Sequence, residues 1–114
     1  MTPNLLNLTP HPIVLRSLGG DRTLPPSGRV ARVDIEEVQQ PGYVEGVKVI
    51  ARRPGKVTGI PKDDKGAYIP CVVTPAVLAA LPAGTRNVYA ADMGPSAVRG
   101  PQGKVVAVTR LLAP

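Results

Sequence analysis

The sequence predicts a mainly β protein: a small twisted sheet or partly open barrel of short strands, with one short α-helix at about residues 74–81. Fourteen prolines and twelve glycines in 114 residues argue against long helices, because proline breaks a helix interior whereas turns and edge strands accept it. The apolar residues fall in short runs rich in β-branched side chains, which is typical of strands. The length predicts a single domain, residues 1–114, with one modest core.

The first third of the chain contains three predicted strands. Residues 5–8 and 13–16 are short apolar runs on either side of a proline-containing crossing, and each proline favours extended geometry in the residue before it. Glycine and proline clusters at residues 17–22 and 24–28 predict turns. Residues 29–35 alternate polar and apolar side chains, which predicts a half-buried strand.

The middle of the chain predicts a basic hairpin. Residues 36–46 are acidic and irregular, which favours a mobile loop, whereas residues 47–52 give the strongest strand signal in the chain. Pro54 and Gly55 suit the central positions of a type II turn, or a slightly wider loop with a bulge. The hairpin is expected to carry a basic patch of Lys48, Arg52, Arg53 and Lys56.

The last third contains the one good helix start. Thr74 suits an N-cap and Pro75 the first helical position, and residues 82–84 end the helix. Further strands are predicted at residues 67–73, 86–91 and 104–111, with turns at residues 62–66, 92–96 and 101–103.

The net charge of +6 is unevenly distributed. Residues 1–46 carry a net charge of −1 and residues 47–114 a net charge of +7. A positive field of this kind favours anionic partners such as nucleic acid, nucleotide phosphates or an acidic protein surface. The alternative is a solvated charged face that keeps the protein soluble.

Several chemistries lack the residues that they need. One histidine, one cysteine and eight scattered acidic residues do not supply a zinc or calcium site. The glycine-rich fingerprints of phosphate and dinucleotide binding are missing, so no metal or cofactor is expected. Ser27 or Ser96 forms a catalytic triad on paper with His11 and Asp92, but the Gly-x-Ser-x-Gly motif is missing. An enzyme is therefore the less favoured class.

The lone cysteine and the N-terminal sequence bear on location. Cys71 lies in a predicted buried strand and is expected to be an inert core thiol, because a reactive thiolate needs an electropositive, partly open site. No signal-peptide pattern and no apolar run of about 18 residues is present. We therefore expect a cytoplasmic protein without membrane contact, in the host cytoplasm if a phage encodes it.

His11, the only histidine, lies between two prolines in the segment Asn-Leu-Thr-Pro-His-Pro. Three roles are open. This polar segment caps backbone groups at a strand crossing, or Asn7, Thr9 and His11 converge on a ligand, or His11 is a catalytic base. An imidazole suits all three roles at neutral pH.

Further candidate ligand contacts lie in the turns. Arg86 and Arg99 flank the loop that contains Asp92, where they would clamp a phosphate in forked geometry or one of them would pair with Asp92. The backbone N–H groups of Ser27 and Gly28 suit an anion-binding nest. The complete predicted ligand-binding set is Asn7, Thr9, His11, Ser27, Arg29, Arg86, Asp92, Ser96 and Arg99.

Nearly the whole chain resembles a known group of sequences. The segments at residues 7–11 (Asn-Leu-Thr-Pro-His), 25–33, 55–61 and 92–99 resemble an uncharacterised family of small proteins from bacteriophages, prophages and actinobacteria. The Asn-Leu-Thr-Pro-His segment is the most specific part of the resemblance. The resemblance implies a mobile-element context and a compact stand-alone domain, and it implies no reaction.

These observations favour a non-enzymatic binding protein of phage type. Its expected partner is an anionic small molecule, in the most specific version a nucleotide immune signal that the protein sequesters from host defence. A homo-oligomer is expected, since a domain this small rarely encloses a deep pocket alone. The alternative is a nucleic-acid-binding protein or an inhibitor of a host enzyme; a virion accessory protein or a small hydrolase is less favoured.

Overall fold

The computed structural model describes residues 5–114. Its elements, in chain order, are β1 (Leu6–Asn7), β2 (Ile13–Ser17), β3 (Gly20–Leu24), β4 (Arg32–Val44), β5 (Val47–Thr58), β6 (Cys71–Val73), α1 (Pro75–Ala79), β7 (Val88–Ala91), β8 (Val98–Arg99), β9 (Val105–Ala107) and β10 (Leu111–Leu112). The predicted mainly β class with one short helix is confirmed. Within residues 5–114 the strands form one four-stranded and three two-stranded sheets, and none closes into a barrel.

The four-stranded sheet has the order β1-β6-β7-β10. Strands β1, β6 and β7 are parallel, and β10 runs antiparallel to β7. Every residue of β6 is buried, as expected for a central parallel strand covered on both faces. Because β1, β6 and β7 run in the same direction, the segments that follow these strands meet at one edge of the sheet.

The core packs on both faces of this sheet. Side chains alternate across a strand, so Cys71 and Val73 face one buried cluster and Val72 faces the other. Helix α1 covers the first face with Val77 and Leu78. The β2–β3 hairpin and the segment after β9 cover the second face, where residues 13, 24 and 108 are buried.

Several predicted boundaries move: the strands predicted at residues 67–73 and 86–91 begin only at Cys71 and Val88. Thr74 is the N-cap residue and Pro75 begins α1, as predicted, but the helix ends at Ala79, because Pro82 disfavours helical geometry in the residue before it. The strand predicted at residues 104–111 is two strands. Between them Val108 crosses to the β2–β3 hairpin, donating its backbone N–H to Val14 O and accepting from Arg16 N–H, both at 2.8 Å.

The β4–β5 arm, residues 32–58, differs most from the prediction. The predicted mobile loop at residues 36–46 is strand, and the hairpin turns at Glu45 and Gly46, which both have positive φ, as a type I′ turn requires. The predicted type II turn at residues 53–56 is therefore wrong. Pro54 and Gly55 lie inside β5 at a register shift, because a β-bulge also accepts proline and glycine.

The arm makes the molecule elongated. The radius of gyration is 17.2 Å, whereas a compact chain of this length has about 13 Å. Only the base of the arm packs on the core, through Val33 and Val57, and every residue from 39 to 50 is exposed.

Candidate functional site

A cavity of about 210 Å³ lies at the edge where the carboxyl ends of β1, β6 and β7 meet. We call it the His11 cavity; it is lined by Thr9, Pro10, His11, Pro12, Ile13, Val73, Thr74, Pro75, Ala91 and Met93. Most of these side chains are apolar, and polar groups come from Thr9, His11 and Thr74. In sheets with parallel strands, ligands bind at this edge, and mostly apolar walls with a few polar groups are typical of small-molecule sites.

Asn7 organises the loop that carries His11. Its side chain is buried, with 1% exposure. Its Nδ2 group donates to the carbonyls of His11 at 2.8 Å and Leu24 at 2.9 Å, and its Oδ1 accepts from the backbone N–H of Thr9 at 3.0 Å. Oδ1 also accepts from the Thr9 hydroxyl at 2.6 Å. Asn7 and Thr9 therefore hold the loop in place and use their polar groups internally.

The imidazole of His11 is the exposed part of this arrangement. Its backbone carbonyl is tied down by Asn7, but no hydrogen bond joins its ring to any other residue from 5 to 114. The capping role at the strand crossing is thus carried out by the Asn7 and Thr9 side chains, and the ring remains able to contact a ligand. A general base usually has a partner that orients it, and none holds His11.

Asp92 follows β7 and is nearly buried, with 8% exposure. It accepts hydrogen bonds from the backbone N–H of Gly94 at 2.9 Å, the hydroxyl of Ser96 at 3.1 Å and Arg110 Nη2 at 2.7 Å. These contacts, the Gly94 bond first and then Arg110, hold the pKa of Asp92 below its ordinary value. Ser96 binds Asp92 directly, so the arrangement is not that of a serine-histidine-aspartate triad.

The two arginines predicted to form a clamp lie apart. Arg99 donates to the carbonyls of Met93 at 2.9 Å and Gly103 at 2.8 Å, which places its guanidinium beside a residue of the His11 cavity. Arg86 precedes β7 and lies at its opposite end. The predicted alternative, an ion pair of Arg86 or Arg99 with Asp92, is wrong for the described residues, because the cation that pairs with Asp92 is Arg110.

Ser27 and Arg29 lie outside the cavity, next to β1. The backbone N–H of Ser27 donates to Asn7 O at 3.0 Å, so the predicted anion nest loses one of its two donors. The Ser27 hydroxyl contacts the backbone N–H and carbonyl of Arg29 at 3.3 Å. Both residues are exposed.

The predicted basic patch lies along β5 of the arm. Arg53 Nε lies 3.1 Å from Glu36 Oε2, and Arg52 Nη2 lies 3.7 Å from Glu37 Oε1. Residues 32–58 carry five basic and four acidic groups. The arm as a whole is therefore nearly neutral, and its arginines face carboxylates of β4.

Most of the residues that line the cavity were not predicted as site residues, and neither was Arg110. Thr74 lines the cavity and its hydroxyl makes no capping hydrogen bond; Met93 forms another wall, and Arg110 holds Asp92. Thr74 directly follows the strand predicted at residues 67–73, and Met93 lies two residues after the strand predicted at residues 86–91, so assuming parallel pairing would have pointed to this edge of the sheet. Arg110 is 18 residues from Asp92 and gives no sequence signal.

Three further observations on residues 5–114 concern metal ligands, the lone thiol and membrane-spanning helices. Residues 5–114 contain no group of three or more potential metal ligands. Cys71 is buried as predicted, and desolvation raises its pKa to about 11. None of the helices among these residues has the length and apolar character needed to cross a membrane.

Comparisons with known proteins return no match: no family model, no curated protein and no solved structure is similar to the chain.

Proposed function

We propose that this protein is a non-enzymatic binding protein that holds an anionic small molecule in the His11 cavity. The supporting observation is the position of this cavity at the carboxyl ends of three parallel strands, with apolar walls and an exposed imidazole. Ligands favour this location and this type of lining.

The charge around the cavity favours an anion. Outside the arm, residues 5–31 and 59–114 carry nine basic and four acidic groups. The acidic group nearest in sequence to the cavity wall, Asp92, is neutralised by Arg110, whereas Arg99 contacts only backbone carbonyls among the hydrogen bonds described. A guanidinium that is hydrogen-bonded to Met93, a wall residue of this apolar cavity, suits a ligand in which a phosphate is joined to a ring.

The cavity volume limits what it encloses. About 210 Å³ is below the roughly 300 Å³ at which pockets for drug-sized ligands begin. The cavity therefore takes one ring of a nucleotide, with the phosphate outside it near Arg99. The most specific version is a nucleotide signal of host immunity that a phage protein sequesters; this rests on the sequence resemblance described above.

Binding without turnover follows from the surroundings of the candidate groups. His11 has no orienting partner among residues 5–114, and the carboxylate of Asp92 is already bound by Gly94, Ser96 and Arg110. A mechanism that moves a proton needs an available base in a fixed geometry.

Calorimetry and thermal shift with a nucleotide panel test the proposal. The panel contains nucleoside mono-, di- and triphosphates and cyclic dinucleotides, since ligand binding to the folded state raises its melting temperature. For a compound that binds, we expect His11→Ala and Arg99→Ala to weaken affinity by about tenfold or more, as loss of a charge-assisted contact does. Lys48→Ala, an exposed cation on the arm, is the matched control and should leave affinity unchanged.

The salt dependence of binding separates this function from nucleic-acid binding. A protein that neutralises many phosphates loses affinity steeply as salt rises, whereas a single nucleotide in a formed cavity responds weakly. Arg52 and Arg53 are already ion-paired with Glu37 and Glu36. This pairing argues against the arm as a β-ribbon that binds nucleic-acid phosphates. A melting temperature unchanged by every compound in the panel would contradict the proposed function.

A further inference from the structure

We propose that the β4–β5 arm is a dimerisation element that lies on the body of a second copy of this chain. This inference concerns a surface away from the His11 cavity and does not rest on the function proposed above.

The first argument is the apolar surface of the arm. Ten large hydrophobic side chains are exposed in the described chain, and six of them belong to the arm: Ile35, Tyr43, Val44, Val47, Val49 and Ile50. Tyr43 and Val47, on either side of the turn, are 70% and 67% exposed. A two-stranded hairpin is marginally stable alone in water, and large apolar side chains exposed on both of its faces are typical of an element that binds a partner.

The charges of the arm indicate what kind of partner fits. Glu36 and Glu37 of β4 face Arg53 and Arg52 of β5, so the charges are largely balanced within the arm itself. A strongly charged partner would gain little here. An apolar surface on a second copy is the better match.

The chain exposes more surface than a compact monomer of its mass. The chain has 8023 Å² of accessible surface, whereas a compact monomer of its mass has about 5,900 Å². The excess of about 2,000 Å² is more than the roughly 800 Å² that each partner buries in a standard interface.

The arm of the second copy binds in a groove beside α1. It consists of two adjoining cavities of about 240 and 380 Å³ that share Ala79. The first lies against the base of the arm at Val33, Ile35 and Pro54, and the second ends at residues 112–114. Because the groove begins where the arm begins, a two-fold axis near this point lets each arm lie in the groove of the other copy, as an isologous interface requires.

Sedimentation equilibrium of the full chain tests this interface. We expect a dimer that dissociates on dilution between about 100 and 1 μM, since dimers follow mass action. Val47→Glu on the arm and Ala79→Glu in the groove should each raise the dissociation constant at least about tenfold, because a charge is buried without a partner. Leu18→Glu is the matched control: Leu18 is fully exposed in the β2–β3 turn, and this variant should dimerise as the wild type does.

Two results would overturn the inference. One is a wild type that remains monomeric over this range. The other is a dimer unaffected by both glutamate variants, which would place the interface elsewhere. Thermal melting checks that each variant folds, and Leu112→Glu replaces Ala79→Glu if the latter does not. Nucleotide binding is measured separately, so failure of either proposal is visible on its own.

Discussion

The Oγ1 atom of Thr9 lies 2.6 Å from Oδ1 of Asn7, and the backbone N–H of the same threonine donates to the same oxygen at 3.0 Å. This double contact leaves both N–H bonds of the Asn7 amide for the carbonyls of His11 and Leu24. One buried side chain thus joins the loop after β1 to the end of β3 and sets the orientation of the His11 loop.

Asn7→Ala is expected to lower the free energy of unfolding by about 2–4 kcal/mol, because it leaves buried donors and acceptors without partners. The affected groups include the carbonyls of His11 and Leu24. Urea denaturation measures the change. Gln102→Ala, in an exposed turn, is the control and should stay within about 0.5 kcal/mol. A similarly small effect of Asn7→Ala would show that the loop does not depend on this residue.

The Asp92 contacts predict a specific pH dependence. The pKa of Asp92 is lowered from 3.8 in the folded state, so its stabilising contribution is present above about pH 4 and is lost as the pH falls through the folded-state pKa. Asp92→Asn should therefore be less stable than the wild type at pH 7, and the difference should shrink below pH 4.

Denaturant unfolding of both proteins at several pH values makes this measurement. Lys104→Gln, which removes an exposed charge in the β8–β9 turn, serves as the control with a small effect throughout. A stability difference between wild type and Asp92→Asn that is constant with pH would contradict the assignment.

Gly59 directly follows β5, where the chain leaves the arm, and its backbone lies close to the backbone of Val30. Its φ is +89°, and a Cβ atom there would lie 2.9 Å from Val30 O. Gly59→Ala should destabilise the fold through both the backbone conformation and this contact. Gly103→Ala, at φ +79° with open space around it, should show the conformational cost alone, about 1–2 kcal/mol.

We expect Gly59→Ala to cost at least about 1 kcal/mol more than Gly103→Ala, the usual lower bound for overpacking. Thermal or urea unfolding of the two variants gives the comparison. Equal losses would mean that the backbone near Val30 moves aside without cost.

Cys71 should be unreactive in the native protein. It is fully buried and its pKa is raised by desolvation from 9.0 to about 11, which alone lowers the thiolate population at pH 8 by roughly a hundredfold. Modification by a chromogenic disulfide reagent, followed with and without guanidinium, tests this. Comparable rates under the two conditions would contradict a buried thiol.

The parts of the fold that were predicted correctly depend on preferences and contacts between residues that are close together in the chain. Thr74 and Pro75 marked the helix start because N-cap and first-turn preferences act between neighbouring residues. The polar segment from Asn7 to His11 stood out for the same reason, since the hydrogen bonds that Asn7 makes to Thr9 and His11 span two to four residues.

The features of the fold that the sequence did not predict depend on pairing between residues that are far apart in the chain. Strand β1 has two residues and pairs with β6 over a separation of 65 positions, Leu6 with Cys71, too short for periodicity to reveal a parallel sheet. Residues 39–46 of the arm are exposed and show no apolar alternation, so this part of the arm was predicted as a loop. Pro54 and Gly55 suit a bulge as well as a turn, and only the register between β4 and β5 distinguishes the two.

His11, the single histidine of the chain, allows the most direct test of ligand binding at the cavity. Its ring protons give one set of proton NMR resonances that can be followed while each anionic nucleotide of the panel is added to the full-length protein. We expect at least one nucleotide to shift these resonances to saturation and Arg99→Ala to weaken this response. Resonances that stay in place at millimolar concentrations of every nucleotide would contradict it.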